Sequence, residues 1–143
     1  MYVSTILDTK GRDVVTVEAD CTLLQAAEFL ARRKIGTLVI TDYENVPIGI
    51  LSERDIVRAV AESGPSGLDQ PVSAYMSSPV QTTNPGQLIR AIMEQMTEGR
   101  FRHIPVLENG RMVGIVSIGD VVKHRLAEFE AETSAMRDYI ASA

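Results

Sequence analysis

The sequence predicts a mixed α+β fold of two tandem β-α-β-β-α units packed on a pseudo-twofold axis. Three observations carry that expectation. The chain repeats itself, short β-branched runs alternate with amphipathic stretches, and a glycine- and proline-bearing segment separates the copies. The duplication is clearest where each unit closes. Ile48-Gly49-Ile50-Leu51-Ser52-Glu53-Arg54-Asp55 matches Val113-Gly114-Ile115-Val116-Ser117-Ile118-Gly119-Asp120 at an offset of 65, and Ile35 matches Phe101 at an offset of 66. Even the lead-ins echo: Val3-Ser4-Thr5-Ile6-Leu7 resembles Val72-Ser73-Ala74-Tyr75-Met76.

Taken in order, Val15–Val17 and Val80–Thr83 read as first strands. Thr22 with Gln25 fits a capping box. Asn84, with Pro85 at the first helical position and Gln87 at the third, predicts a second helix start of the same kind. Leu23, Ala26, Ala27 and Leu30, then Leu88, Ala91, Ile92 and Met96, recur at helical spacing. The runs Thr37–Ile40 and Ile48–Leu51 are too brief and too β-branched for helices, so they read as strands. Asn109-Gly110 is a hairpin signal between two such runs in the second copy. The expected organisation is one module over 1–143: repeat one at about 8–62, a linker at 63–71 holding Gly64, Pro65 and Gly67, repeat two at about 72–126, and a C-terminal helix at about 119–141. A unit of about 60 residues covers its own sheet poorly, so two should pack together.

Composition narrows the function. A net charge of -5 argues against a nonspecific binder of nucleic acid or of a membrane surface. Cys21 is the single cysteine, so a reducing, cytoplasmic setting is expected. No apolar run approaches the ~20 residues that span a bilayer. Neither a phosphate-binding Gly-Lys-Ser/Thr loop, nor Gly-x-Ser-x-Gly, nor metal-spaced ligands occur. The expectation is a non-enzyme with no catalytic cofactor and no metal.

The order Thr-Val, helix, x-x-x-Ile-Pro-Val, then Gly-Ile-Val-Ser-x-x-Asp, given twice from about Asp8 to Leu126, resembles the CBS-domain pair, or Bateman module. It is similar to small stand-alone bacterial members carrying Ser-Glu-Arg-Asp (Ser52–Asp55) and Arg-His-x-Pro-Val (Arg102–Val106). The resemblance implies a regulatory module that senses energy or redox state by binding AMP, ADP, ATP, NAD or S-adenosylmethionine, and that acts through a regulated protein or by self-association. It implies two clefts. Cleft one joins Ser52, Arg54 and Asp55 to Thr82, Arg102, His103, Ile104 and Pro105. Cleft two joins Ser117 and Asp120 to Thr16, Gly36, Thr37 and Leu38. In cleft two, Val39 replaces the usual proline and Gly119 stands where Arg54 stands in cleft one. A ligand-free scaffold with lapsed clefts is the alternative function.

The residue types suit those roles. A serine at a strand-to-helix turn, with the first helical N–H groups, can receive a phosphate oxygen. The aspartate three residues on can accept hydrogen bonds from two ribose hydroxyls; the plainer reading is an N-cap pair. Arg54 and Arg102 offer donor forks for phosphate or are solvated surface charges. A phosphate would draw His103 toward its charged form. Ile104 and Pro105 give a flat wall for adenine or a buried strand, and Thr16 and Thr82 one hydroxyl bond or ordinary β-propensity. Gly49 and Gly114 let a ligand or backbone approach closely. Cys21 reads as a small filler. Past the repeats, Val122, Leu126, Phe129, Thr133, Met136 and Ile140 follow the 4-3-4-3-4 spacing of a heptad seam, which suits a homodimer or packing on the chain's own N-terminal segment.

Overall fold

The computed structural model describes residues 1–142. Its elements run α1 (Val3–Lys10), β1 (Thr16–Glu18), α2 (Leu23–Arg33), β2 (Thr37–Thr41), β3 (Pro47–Ser52), α3 (Glu53–Ser63), two short 3-10 turns (Gly64–Asp69 and Val72–Ala74), α4 (Ile89–Gly99), β4 (His103–Glu108), β5 (Arg111–Ser117) and α5 (Ile118–Ser142). These form a three-stranded sheet ordered β1-β2-β3 and a two-stranded sheet β4-β5. In the first, β1 runs parallel to β2 with Thr16 opposite Val39, and β2 pairs antiparallel with β3, setting Thr37 opposite Ser52. The fold is mixed α+β, and the tandem repeat is visible in its element order.

The elements divide into two packing units that do not coincide with the sequence repeats. One holds Asp13–Gln81 and Asn109–Met112; the other holds Met1–Arg12, Thr82–Glu108 and the chain from Val113 on. The core around repeat one gathers Val17, Leu23, Ala26, Leu30, Leu38, Ile40, Leu51, Ala59 and, from the other lead-in, Val72. The core around repeat two gathers Ile89, Ile92, Met96, Ile104, Val106, Val116 and Val121 with Val3, Ile6 and Leu7 of α1. Each lead-in is therefore buried against the opposite repeat.

Backbone bonds fix that exchange. Leu23 donates to the Gln70 carbonyl at 2.9 Å and Val72 to that of Cys21 at 2.8 Å. In the other unit, the N–H groups of Val3 and Ser4 at the start of α1 reach the carbonyls of Gln87 and Pro85 at 2.9 and 3.0 Å. Those bonds explain a departure from the sequence pattern. α4 begins at Ile89 with Leu88 as its N-cap, not at Pro85. Asn84 instead closes a local turn by accepting from the Gly86 N–H at 3.0 Å, and the Pro85 and Gln87 carbonyls serve α1. The expected first strand at 80–83 is likewise reduced to one parallel bridge, Thr83 with Val106. Thr22 and Gln25 do form the reciprocal capping box.

The two strand glycines make room for side chains rather than for a ligand or backbone. A Cβ on Gly114 would lie 2.6 Å from Leu7 Cδ2, and one on Gly49 would overlap the Met76 side chain. A coupled pair of substitutions tests this seat by urea unfolding. Leu7→Ala should cost about 2–5 kcal/mol through the cavity it leaves, and Gly114→Ala about 1–3 kcal/mol through overpacking. Combined, they should cost clearly less than their sum, because the truncated Leu7 no longer meets the new methyl. Strict additivity would disprove the seat.

Candidate functional site

Both repeats close on the same local device, a serine at the end of a strand and an aspartate three residues into the helix that follows. Ser52 caps α3: its Oγ accepts from the Asp55 N–H at 3.4 Å, while Asp55 Oδ2 accepts from the Ser52 N–H at 2.8 Å. At the start of α5 the Ser117 Oγ accepts from the Asp120 N–H at 3.2 Å, and Asp120 Oδ2 from the Ser117 N–H at 2.9 Å. The capping role is thus real in both copies. It aims each carboxylate at a helix N-terminus with its second oxygen turned away from those bonds.

The surrounding charges differ between the copies. In repeat one Arg54 is exposed, and Arg58, one turn on, reaches Asp55 Oδ1 at 3.4 Å and the Tyr75 carbonyl at 3.2 Å, lying over the Tyr75 ring. In repeat two the cation comes from α1. Lys10 Nζ donates to Asp120 Oδ2 at 2.7 Å and to the Ile115 carbonyl at 2.9 Å. Burial works to raise the Asp120 pKa, but hydrogen bonds from Lys10 and Ser117 outweigh it and hold the carboxyl below its ordinary range. Neither Arg58 nor Lys10 stands out in the sequence. Lys10 lies 110 residues from its partner, and Arg58 is one of several charges on an exposed helix.

The starts of the second strands sit beside these turns within the same repeat. The first residue of each helix donates back to that strand, Glu53 to the Gly36 carbonyl at 3.0 Å and Ile118 to the Arg102 carbonyl at 2.8 Å. Gly36 is exposed and Thr37 half-buried opposite Ser52. Arg102 is exposed and His103 half-buried. Burial, then the Lys10 charge, then that of Arg102 push the His103 pKa down against the opposing pull of Asp120. The imidazole is therefore held neutral. Leu38 and Ile104 are fully buried in their respective cores, and Pro105 is buried as well. Thr16 and Thr82 are half-buried at equivalent places, while the adjoining Thr83 makes the bridge.

Among the described residues no cluster of His, Cys, Asp and Glu could hold a metal ion, and no helix is long and apolar enough to cross a membrane. Burial, helped by Asp20, raises the pKa of the Cys21 thiol, which keeps it protonated and unreactive.

The family model for the CBS domain matches the chain twice, at residues 4–62 and 72–127. A CBS-domain containing protein from Agrobacterium tumefaciens superposes with a TM-score of 0.81 at 50% identity, covering 87% of this chain and 99% of its own. A CBS domain protein from Pyrobaculum aerophilum, complexed with AMP, gives 0.78 at 31% identity over 93% and 99% of the two chains. The CBS domain-containing protein YhcV of Bacillus subtilis is 27% identical over 90% of each chain. With the family model covering both repeats and the Ser-x-x-Asp turn formed in each, the chain belongs to the CBS-domain family as a pair of CBS repeats.

Proposed function

We propose that this chain is a regulatory module that binds an adenine nucleotide, conveys its energy or redox signal through self-association or a regulated protein in the cytoplasm, and performs no catalysis itself. The observation that carries this reading is the duplicated turn: Ser52 with Asp55 and Ser117 with Asp120 form the same bonds at two helix N-termini. An N-terminus of this kind offers unpaired N–H donors to a phosphate, and the carboxylate suits vicinal ribose hydroxyls. The AMP carried by the Pyrobaculum relative supports the ligand class. Arg54, Arg102 and His103 are the proposed phosphate contacts. Thr82, Ile104 and Pro105, with Thr16, Gly36, Thr37 and Leu38, are the proposed contacts for base and ribose.

The two turns should not be equivalent. Asp55 pairs with the exposed Arg58 at 3.4 Å, whereas Asp120 already carries the closer Lys10 ammonium at 2.7 Å, which ribose hydroxyls would have to displace. Gly119 also lacks the guanidinium that Arg54 supplies. The first turn is therefore the stronger AMP site. A thermal-shift panel of AMP, ADP, ATP, NAD and S-adenosylmethionine tests binding directly, since a ligand at 100-fold its Kd stabilises by about 2.7 kcal/mol. No shift with any of them would favour the ligand-free scaffold, for which Val39 and Gly119 speak.

Three further outcomes follow from the residues. Asp55→Ala should lower AMP affinity by about 1.5–3 kcal/mol, the worth of a hydrogen bond to a charged group, while losing the bond back to the Ser52 N–H, with the Ser52 cap kept, costs the fold about 1 kcal/mol. Asp120→Ala should lower AMP affinity less; calorimetry showing equal losses would overturn the ranking.

Adenosine should bind about tenfold to a hundredfold more weakly than AMP, with the gap narrowed by Arg54→Ala or by added salt. Matching affinities at low salt would remove phosphate from the recognition.

His103 sets a pH signature. Its folded pKa lies below the ordinary 6.5, so the unfolded chain binds the proton first as pH falls, and stability drops below about pH 6.5. His103→Gln should flatten that decline. A phosphate beside the ring would reverse the shift, so AMP binding near pH 6 should take up protons. Because the AMP phosphate also titrates near pH 6, a dependence of the heat on buffer ionisation enthalpy that His103→Gln leaves unchanged would exclude His103 from the phosphate site.

A further inference from the structure

α5 has two parts of different character. Up to Glu128 it is anchored: Val121 is fully buried, and Ile118, His124, Arg125 and Glu128 are half-buried. The N-terminal ammonium of Met1 pairs with Glu128 at 3.4 Å and Lys10, the last residue of α1, with Asp120 at 2.7 Å, so the segment 1–10 ties down this part at two points. From Phe129 to Ser142 every described residue is exposed. A solitary helix of that length is marginal in water. This one nonetheless carries the apolar seam, with Leu126 57%, Phe129 52%, Met136 60% and Ile140 67% exposed. The chain's own N-terminal segment does not cover it.

The charges that flank the seam identify its occupant. With Leu126, Thr133 and Ile140 at heptad position a, and Val122, Phe129 and Met136 at d, position e holds Lys123, Glu130 and Arg137, and position g holds Arg125, Glu132 and Tyr139. In a parallel, in-register pair each g residue meets the e residue five positions on in the other helix. Those meetings are Arg125 with Glu130 and Glu132 with Arg137, each made twice by symmetry and each of opposite sign. The antiparallel pair that overlaps all six seam residues instead sets Glu130 against Glu130, Glu132 against Glu132 and Lys123 against Arg137. Slipping it by a heptad removes the repulsion only by uncovering Ile140 or Val122. Arg125 already stands at the seam's edge, its guanidinium 4.6 Å from the Phe129 ring centre.

We propose that the distal half of α5 is a parallel, in-register coiled-coil surface whose partner is α5 of a second copy of this chain. The inference rests on the self-association put forward above and specifies the face that mediates it. The helix gains along its length what it lacks alone, a covered apolar stripe, and the flanking charges set direction and register.

The test uses the full-length chain. Sedimentation velocity should show a dimer whose melting temperature rises with protein concentration, and Phe129→Glu should convert it to a monomer whose melting temperature no longer depends on concentration. Glu132→Arg should weaken the dimer about tenfold, and adding Arg137→Glu should restore it, since that swap rebuilds the parallel pairing with reversed signs. Direction is read by disulfide trapping in a Cys21→Ser background. Ile140→Cys should cross-link to itself, whereas an Ile140→Cys and Val122→Cys mixture should yield no mixed product. A wild-type chain that stays monomeric overturns both this surface and self-association itself. A dimer indifferent to Phe129→Glu and untrapped at position 140 overturns the coiled coil while leaving self-association to another face. Mixed cross-links between positions 122 and 140 overturn the parallel direction.

Discussion

The seating of one apolar side chain over a strand glycine is the contact on which the rest of this structure depends. Leu7 of the first lead-in lies where a Cβ on Gly114 would be, and Met76 of the second lies where one on Gly49 would be. Each seat stands three residues before the serine that caps a helix. Filling it brings Val3, Ile6 and Leu7 into the core of repeat two, and Val72 into that of repeat one. Neither repeat finishes its core with its own residues. Two chain segments that look like preludes to their repeats are structural parts of the opposite ones, so loss of either lead-in exposes a sheet rather than trimming an end.

The same arrangement explains why the two Ser-x-x-Asp turns, alike in backbone, differ in electrostatics. Because α1 packs with repeat two, its last residue, Lys10, arrives at Asp120 and holds that carboxylate ionised. The segment that packs with repeat one presents the Tyr75 carbonyl and ring to Arg58, which stands off Asp55 at 3.4 Å. Duplication supplied two equal turns. The asymmetry between them comes from Gly119 standing in place of Arg54 and from Lys10, which the first lead-in carries at its end. That is a physical basis for the unequal ligand preference proposed above, although both turns keep the same Ser–Asp bonds.

Much of this was legible in the residues, and what was not has specific causes. The repeat shows as self-similarity at an offset of 65, and the Thr22–Gln25 capping box, the Asn109-Gly110 turn with both residues at positive φ, and the Ser-x-x-Asp caps are local signals, each written within four residues. The helix start at Asn84-Pro85 was not, although its signal was as good. The carbonyls that would have opened that helix are taken by α1, from more than 80 residues away. The hydrophobicity of Ile6, Leu7 and Val72 announces burial but not in which core. Lys10 and Arg58 were missed for a related reason, since a lone cation on a helix gains meaning only when its distant partner is known. The glycines were recognised as points of close approach, but the approaching group was a side chain.

Ser117 and Asp120 open the same continuous helix that carries the seam from Val122 to Ile140. A ligand at the Ser117–Asp120 turn would bind at the helix N-terminus and compete with Lys10, one of the two ion pairs by which the segment 1–10 anchors the helix; the other, Met1 with Glu128, sits where the exposed part begins. The proposed ligand turn, the anchor and the proposed self-association face thus lie in series on one helix of 25 residues. A nucleotide that bound the dimer better than the monomer would have to tighten the dimer by the same factor, because linkage between two equilibria is reciprocal. The consequence falls on Lys10. On the proposed reading it is the residue through which occupancy of the turn and the set of α5 on its unit would exchange free energy, and a change there would alter that coupling without touching either the seam or the serine.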